Sequence, residues 1–259
     1  EKLQYKRTLS ECAVDGIAPF KGNRKGLQKQ ANNALSNIAN SLTQSRTFGI
    51  RPKIEPNEII LKDQKSFKFS QSDFTKMNLK FSNNNSKQNM RWFADKPEDW
   101  NTYHKLQEES FRKRGYQPTD IWIERLKKLS KNKYIGDFGC GKGQILQAFP
   151  GRVWSFDHYS IDPAIKQCNM SDVSEYIDDG ELDVVLFSLS LMAKDWKDSL
   201  KEAWRCLPDR GELFISITTK QFEGKFSQIE IYLEELGFVK DKRYDEDVLV
   251  CLEYHKVST

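Results

Sequence analysis

The chain has 259 residues, of which 38% are hydrophobic and 30% charged, enough for one full core with an extension rather than two equal domains. No apolar run approaches the roughly 18 residues of a membrane span, so a soluble protein is expected. Five scattered cysteines (Cys12, Cys140, Cys168, Cys206 and Cys251) without CxxC spacing argue against a disulfide framework and against a zinc site.

The net charge of +4 hides two unlike parts. Residues 1–91 carry 17 basic against 7 acidic side chains, whereas residues 92–259 carry 24 against 30. The first part reads as a basic, largely irregular arm. Its run "LQKQANNALSNIANSL" at 27–42 has the apolar spacing of one amphipathic helix, and "FSNNNSKQNMR" at 81–91 reads as a polar linker. Such an arm suits the phosphates of a nucleic acid, and equally an acidic protein or no partner at all.

From residue 92 onward, helix-like and strand-like segments alternate. "PEDWNTYHKLQEESFRKRGY" places Trp100, Tyr103, His104, Gln107 and Phe111 on one face of a helix begun by Pro97. A second helix, "TDIWIERLKKL", follows Pro118 with Thr119 or Asp120 expected as its cap. The strand candidates are "KYIGDFG", "RVWSFDH", "AIKQCNM", "DVVLFSLSL", "GELFISITT" and "VLVCLEYHK", with helices "KGQILQAF", "DWKDSLKEAWRCL" and "KFSQIEIYLEELG" between them. This alternation predicts an α/β fold, a doubly wound and mostly parallel sheet covered on both faces. The ending "FVKDKRYDEDVLVCLEYH" has no helix between its strands, which predicts an antiparallel last strand.

The glycines of "IGDFGCGKGQIL" fall between a strand and a helix. They do not make a phosphate loop, because Gly141 and Lys142 are followed by Gly143 rather than by the hydroxyl a magnesium ion needs. They do not make a dinucleotide fingerprint either, since Gln144 stands near the third required glycine. An acidic residue followed by Gly-x-Gly in such a sheet instead suits S-adenosylmethionine, with Asp137 near its amino group and Gly139 and Gly141 allowing close backbone approach. Asp157, 18 residues past Gly139, stands where the next strand ends in a carboxylate for ribose hydroxyls. "CNM" at 168–170 and "FSLSLM" at 187–192 end two further strands at the same edge.

"DFGCG", "SFDHYSIDP", "CNMSDV", "LDVVLFSLSLMAKDWKDSLKEAWRCLPDRGEL" and the upstream "WNTYHK" resemble the methyltransferase domain of the ribosomal RNA-processing protein 8, or nucleomethylin-like, family. The likeness spans about residues 92–256 and implies a seven-stranded class I S-adenosylmethionine-dependent methyltransferase. It implies cofactor contacts at His104, Gly139, Asp157, Asn169, Met170 and Ser188, and methylation of adenine N1 in large-subunit ribosomal RNA. A nuclear, nucleolar location and ribonucleoprotein or chromatin partners come with it. Family members usually carry Asp where this chain has Asn169, Cys is common where it has Ser188, and their Trp-Pro turn after the Tyr-His helix is replaced by "GYQPTDIW".

Methyl transfer from a sulfonium needs alignment and exclusion of water rather than a covalent nucleophile. The [DN]PP[YFW] tetrapeptide of exocyclic amino methyltransferases is replaced by "SLSL", which favours an endocyclic nitrogen. No catalytic residue is singled out; Ser190, Asp195 and Trp196 are expected to line the acceptor pocket, and Trp92 is a candidate for stacking on a base. His158 and His255 read as strand-end residues without a special role. Three readings stand at this stage: an RNA methyltransferase gripping RNA with its basic arm, a cofactor-binding scaffold in a larger assembly, or a small-molecule or protein methyltransferase, which the arm makes less attractive.

Overall fold

The computed structural model describes residues 71–257; the expected helix at 27–42, Cys12 and most of the basic arm lie outside the described residues. Among the described residues four helices come first: α1 (Gln71–Asn83), α2 (Ser86–Asp95), α3 (Pro97–Arg112) and α4 (Pro118–Lys127). The sheet and its connections follow: β1 (Ile135–Phe138), α5 (Gln144–Ala148), β2 (Val153–Asp157), β3 (Lys166–Gln167), β4 (Val184–Ser188), α6 (Trp196–Cys206) and β5 (Glu212–Thr218). The chain closes with α7 (Thr219–Glu223), α8 (Ile229–Glu235), β6 (Phe238–Glu246) and β7 (Leu249–Lys256). No helix among the described residues is long and apolar enough to cross a membrane.

The seven strands lie in the order β3-β2-β1-β4-β5-β7-β6. β1 to β5 pair in parallel, and β7 inserts antiparallel between β5 and β6. The central strands are apolar runs because they are covered on both faces: every residue of β1 and β2 is buried. On one face Phe138, Phe156 and Phe187 meet edge to face at centroid distances of 5.2 and 5.4 Å, under α6 and α8. On the other, Trp122 of α4 stacks on Phe214 at 5.3 Å and its Nε1 donates to Ser216 Oγ. Asp247, with φ of 51°, turns the chain from β6 into β7, the strand-turn-strand ending that the sequence predicts.

Three expectations need correction here. Residues 81–91 are not a linker: they end α1 and build α2, whose start is fixed by a capping box between Asn85 and Gln88. Phe81, Trp92 and Phe93 are buried there with Trp100, Tyr103 and Met192 in a third, separate core. α4 is capped by neither Thr119 nor Asp120; Gln117 is its N-cap with Pro118 at the first position, and Thr119 Oγ1 meets Gln144 Oε1 at 2.5 Å instead. The expected strand through "AIKQCNM" contracts to Lys166–Gln167, so "CNM" is loop.

α1, α2 and the start of α3 form a cap over the carboxyl ends of β1, β2 and β4. A few polar contacts hold it. Ser86 donates through its backbone N–H (2.9 Å) and its hydroxyl (2.8 Å) to Asp195 Oδ1, Lys194 N–H donates to the Asn84 carbonyl at 2.9 Å, and Tyr103 OH reaches Met192 Sδ at 3.0 Å. The segment 189–195 after β4 is thereby tied to the junction between α1 and α2. Lys225 holds it from the other side by donating to the carbonyls of Met192 and Ala193.

Candidate functional site

The strand order reverses between β1 and β4, and the crevice at their carboxyl ends is where open sheets of this kind take ligands. The loop leaving β1 is shaped for close approach. Gly139 and Gly141 have φ of 77° and 55°, left-handed values that side chains rarely adopt. A Cβ on Gly139 would collide with Ser190 Cβ, and one on Gly141 would lie 2.9 Å from His104 Cε1. Both glycines are therefore required twice, by backbone conformation and by space.

Asp157 is the hub of the loop. Its Oδ2 accepts from Gly141 N–H at 2.8 Å and its Oδ1 from Trp100 Nε1 at 3.0 Å, so one carboxylate ties the glycine loop to the cap. Asp137, at the end of β1, is 2% exposed, and its Oδ1 has no hydrogen-bond partner. Burial first, and the neighbouring Asp157 carboxylate second, push its pKa up to about 8. A buried carboxyl oxygen of this kind, beside the glycines of the turn, is the complement of a ligand ammonium group. The residues present thus fit the amino-acid end of S-adenosylmethionine, and the remaining lone pair of Asp157 Oδ2, whose Oδ1 accepts from Trp100 Nε1 and Tyr159 N–H, fits a ribose hydroxyl.

His104 stands over Gly141 from α3, with Trp100 at a centroid distance of 4.4 Å and Tyr103 edge-on at 5.3 Å. Burial lowers its pKa, with Asp157 opposing, which keeps the imidazole neutral at pH 7.

Of the six positions implied by the family likeness, His104, Gly139, Asp157, Met170 and Ser188 line one cleft. Asn169 does not: it faces a separate groove with Asn85, Lys87 and Arg205, and its Oδ1 accepts from Ser171 N–H in a local turn. Of the residues expected at the acceptor, Ser190 alone lines the cleft, with its hydroxyl donating to the Phe138 carbonyl. Asp195 is occupied in holding Ser86, and Trp196 is buried against Phe226 and Tyr232 at 5.1 and 5.6 Å. Trp92 is no base-stacking residue, since it is buried, stacked on Phe93 and bonded through Nε1 to Asp99. Lys142 pairs with Glu108 at 2.9 Å, and His255 with Asp241 at 2.8 Å.

Phe81, Phe93, Tyr103 and His158 also line the cleft, and the sequence reading passed over their role. The signal for Phe81 was present in the spacing of Phe74, Met77 and Phe81, which follows a helical face but is diluted by Asn, Ser and Lys.

The chain spans about half or less of the length of several curated relatives that it matches. The Arabidopsis thaliana ribosomal RNA-processing protein 8 is 29% identical over 156 residues, 60% of this chain and 54% of the relative. The Schizosaccharomyces pombe 25S rRNA (adenine(645)-N(1))-methyltransferase is 25% identical over 273 residues, covering 92% of this chain and 84% of that one. Among solved structures, a Burkholderia thailandensis 1,6-didemethyltoxoflavin-N1-methyltransferase superposes on 61% of this chain and 87% of its own at 12% identity, with a TM-score of 0.45. The family described as hypothetical methyltransferase matches residues 61–259, so its match starts ahead of the cap and takes in the sheet together with it. With more than half of its length matched, this chain belongs to that family.

Proposed function

We propose that the protein is an S-adenosylmethionine-dependent RNA methyltransferase that methylates N1 of an adenine in large-subunit ribosomal RNA. The observation that carries the reading is the convergence of His104, Gly139, Asp157, Met170 and Ser188 on one cleft at the reversal point of the sheet. In this reading Asp137 takes the cofactor's ammonium, Asp157 its ribose hydroxyls, and Gly139 and Gly141 let the backbone lie against it. Asn169 is the sixth contact proposed from the family likeness; reaching the cofactor requires its amide to leave the local turn with Ser171. The bound cofactor supplies a methyl group already activated on a sulfonium. The chain's own residues orient the partners and exclude water: the cap closes one side of the cleft, and the 189–195 segment, held by Ser86, Tyr103 and Lys225, limits the approach of the acceptor. An adenine N1 brings its own lone pair, so the attack needs no protein base.

The names of the ribosomal RNA-processing relatives support an RNA substrate and, with it, a place in the nucleolus. Residues 1–70 hold 13 basic against 6 acidic side chains, and this arm neutralises RNA phosphates. A second reading, a cofactor-binding scaffold, is favoured by one observation, the displacement of Asn169 from the cleft.

The test is transfer of a labelled methyl group to total RNA from cells lacking the protein, followed by nucleoside analysis. Label in 1-methyladenosine of large-subunit RNA with the wild-type chain, and none with Asp157→Ala or Gly139→Arg, is the expected result. Absence of labelled RNA, with cofactor binding intact, would overturn the RNA methyltransferase reading.

A further inference from the structure

The wall of the cleft beyond β4 starts from a strained residue. Leu189, directly after that strand, has φ of 59°, a left-handed value unusual for a residue other than glycine. It is buried, and it lines the cleft together with Ser190 and Met192. Backbone in this state persists only where the surroundings over-determine it. Leu189 N–H donates to the Ser216 carbonyl at 2.9 Å, Ser190 Oγ to the Phe138 carbonyl, and Tyr103 OH reaches Met192 Sδ. Lys225 fixes the far end of the bend. It stands between α7 and α8, next to Phe226, whose buried ring packs against Trp196 at a centroid distance of 5.1 Å and anchors the connection. Its Nζ donates to the carbonyls of Met192 at 2.5 Å and Ala193 at 2.7 Å, and lies 3.5 Å from the Ser82 carbonyl of α1. An ammonium has three donors, and three carbonyls from two regions converge on this one. A single side chain thus fastens the cleft wall both to the cap and to the connection behind α8.

We propose that Lys225 is a positioning residue for methyl transfer: its ammonium holds residues 189–193 in the conformation that aligns the acceptor with the cofactor's methyl group. The inference rests on the proposed function, which brings the acceptor past this wall. Misplacement of a reacting atom by about 1 Å costs on the order of a hundredfold in rate, so a clamp remote from the cofactor can govern turnover without touching cofactor affinity. The clamp is also sensitive to pH. Partial burial lowers the pKa of Lys225 to about 8, with Asp195 opposing and Lys194 adding to the fall. A neutral amine has one donor fewer for the three carbonyls, so the hold weakens as pH rises through that value. A guanidinium in its place stays charged throughout.

The full chain, Lys225→Met and Lys225→Arg are compared by kcat and KM for RNA from about pH 7 to about pH 9.5, by calorimetry with S-adenosylhomocysteine, and by amide hydrogen exchange, with melting curves to verify folding. Lys225→Met is expected to lower kcat about tenfold or more at pH 7, to leave the dissociation constant of S-adenosylhomocysteine unchanged, and to speed exchange in residues 189–193 but not in β1 or β4. Lys225→Arg restores kcat and keeps more of it at the alkaline end than the wild type does, a comparison that needs no destabilised variant. Asp137 also titrates near pH 8, but it is present in all three proteins, so the difference between their profiles belongs to Lys225. Wild-type kcat and wild-type exchange in folded Lys225→Met overturn the proposal. So does a loss of kcat that Lys225→Arg does not restore, or one matched by an equal loss of cofactor affinity, which marks a general disturbance of the fold. Absence of transfer to RNA by the wild-type chain overturns the proposed function instead, and hydrogen exchange in Lys225→Met then decides alone whether Lys225 holds the segment.

Discussion

The sheet and the cap meet at the cleft but are made by opposite means. The central strands are short apolar runs buried on both faces and joined by glycine turns, and they contribute what lacks side chains or carries charge: Gly139, Gly141, Asp137 and Asp157. The cap is three helices of polar, lysine- and asparagine-rich sequence around a handful of aromatics, and it contributes the rings. In the proposed reading the strands hold the reactive end of a ligand, and the cap walls the cleft beside it. Neither region makes the site alone, because Asp157 on β2 is bonded to Trp100 on α3, and Gly141 lies against His104.

The largest effect is expected from cutting between the two. A chain beginning at residue 92 lacks Phe81 and leaves Trp100, Tyr103 and Met192 without their cover; it should lose S-adenosylhomocysteine binding and tend to aggregate. A chain beginning at residue 71 should bind S-adenosylhomocysteine as the full chain does, yet lose RNA affinity together with its salt dependence. Equal cofactor affinity in both truncations would break the comparison, and unchanged RNA binding in the second would remove the role given to the arm.

A smaller effect is expected at the seam. Asp195→Ala leaves the buried Ser86 N–H and hydroxyl without their acceptor, a cost of about 1–3 kcal/mol and a fall in melting temperature of roughly 3–10 °C. Ser86→Ala, which keeps the N–H contact, should fall by less. If both variants melt with the wild type, the seam contributes nothing and the cap is held by its aromatics alone.

A pH-dependent effect is expected on the sheet side. Asp137 has a folded pKa of about 8, above the ~3.9 of an unfolded Asp, so between these values the folded chain binds more protons than the unfolded one. Its contribution to stability therefore declines as pH rises through that window. Asp137→Asn should flatten the decline and melt a few degrees above the wild type at pH 8 without ligand, while binding S-adenosylhomocysteine more weakly. An identical pH profile in the two proteins would remove the assignment of Asp137 as a carboxyl group strained by burial.

The same contrast explains what could be read in the sequence. Buried parallel strands announce themselves as apolar runs, and "IGDF", "VWSFD" and "VVLFS" are found where their composition puts them. The glycines and Asp157 were legible because strand ends at a reversal point carry ligand chemistry. The cap was not. Its first two helices rest on two aromatics each, and the asparagines at 83–85 that suggested a linker mark the end of one helix and the cap of the next. Asn169 shows the limit of position alone: it follows the strand end that the likeness implies, but a two-residue β3 lets the loop turn its side chain into a different groove. α7, a helix of five residues set by a capping box between Thr218 and Gln221, was too short to show a period.

The bond between Ser86 and Asp195 joins residues 109 positions apart, and that between Trp100 and Asp157 spans 57. During synthesis the cap leaves the ribosome before the sheet, and its anchors are among residues still to be made. Until β2 and the segment after β4 exist, Phe81, Phe93 and Trp100 have only the other cap aromatics to pack against, without Asp157, His158 and Met192. Contacts of such long range slow folding and lengthen the exposure of apolar surface. The lysines and asparagines that disguised the cap as a linker are also what keeps this waiting segment in solution.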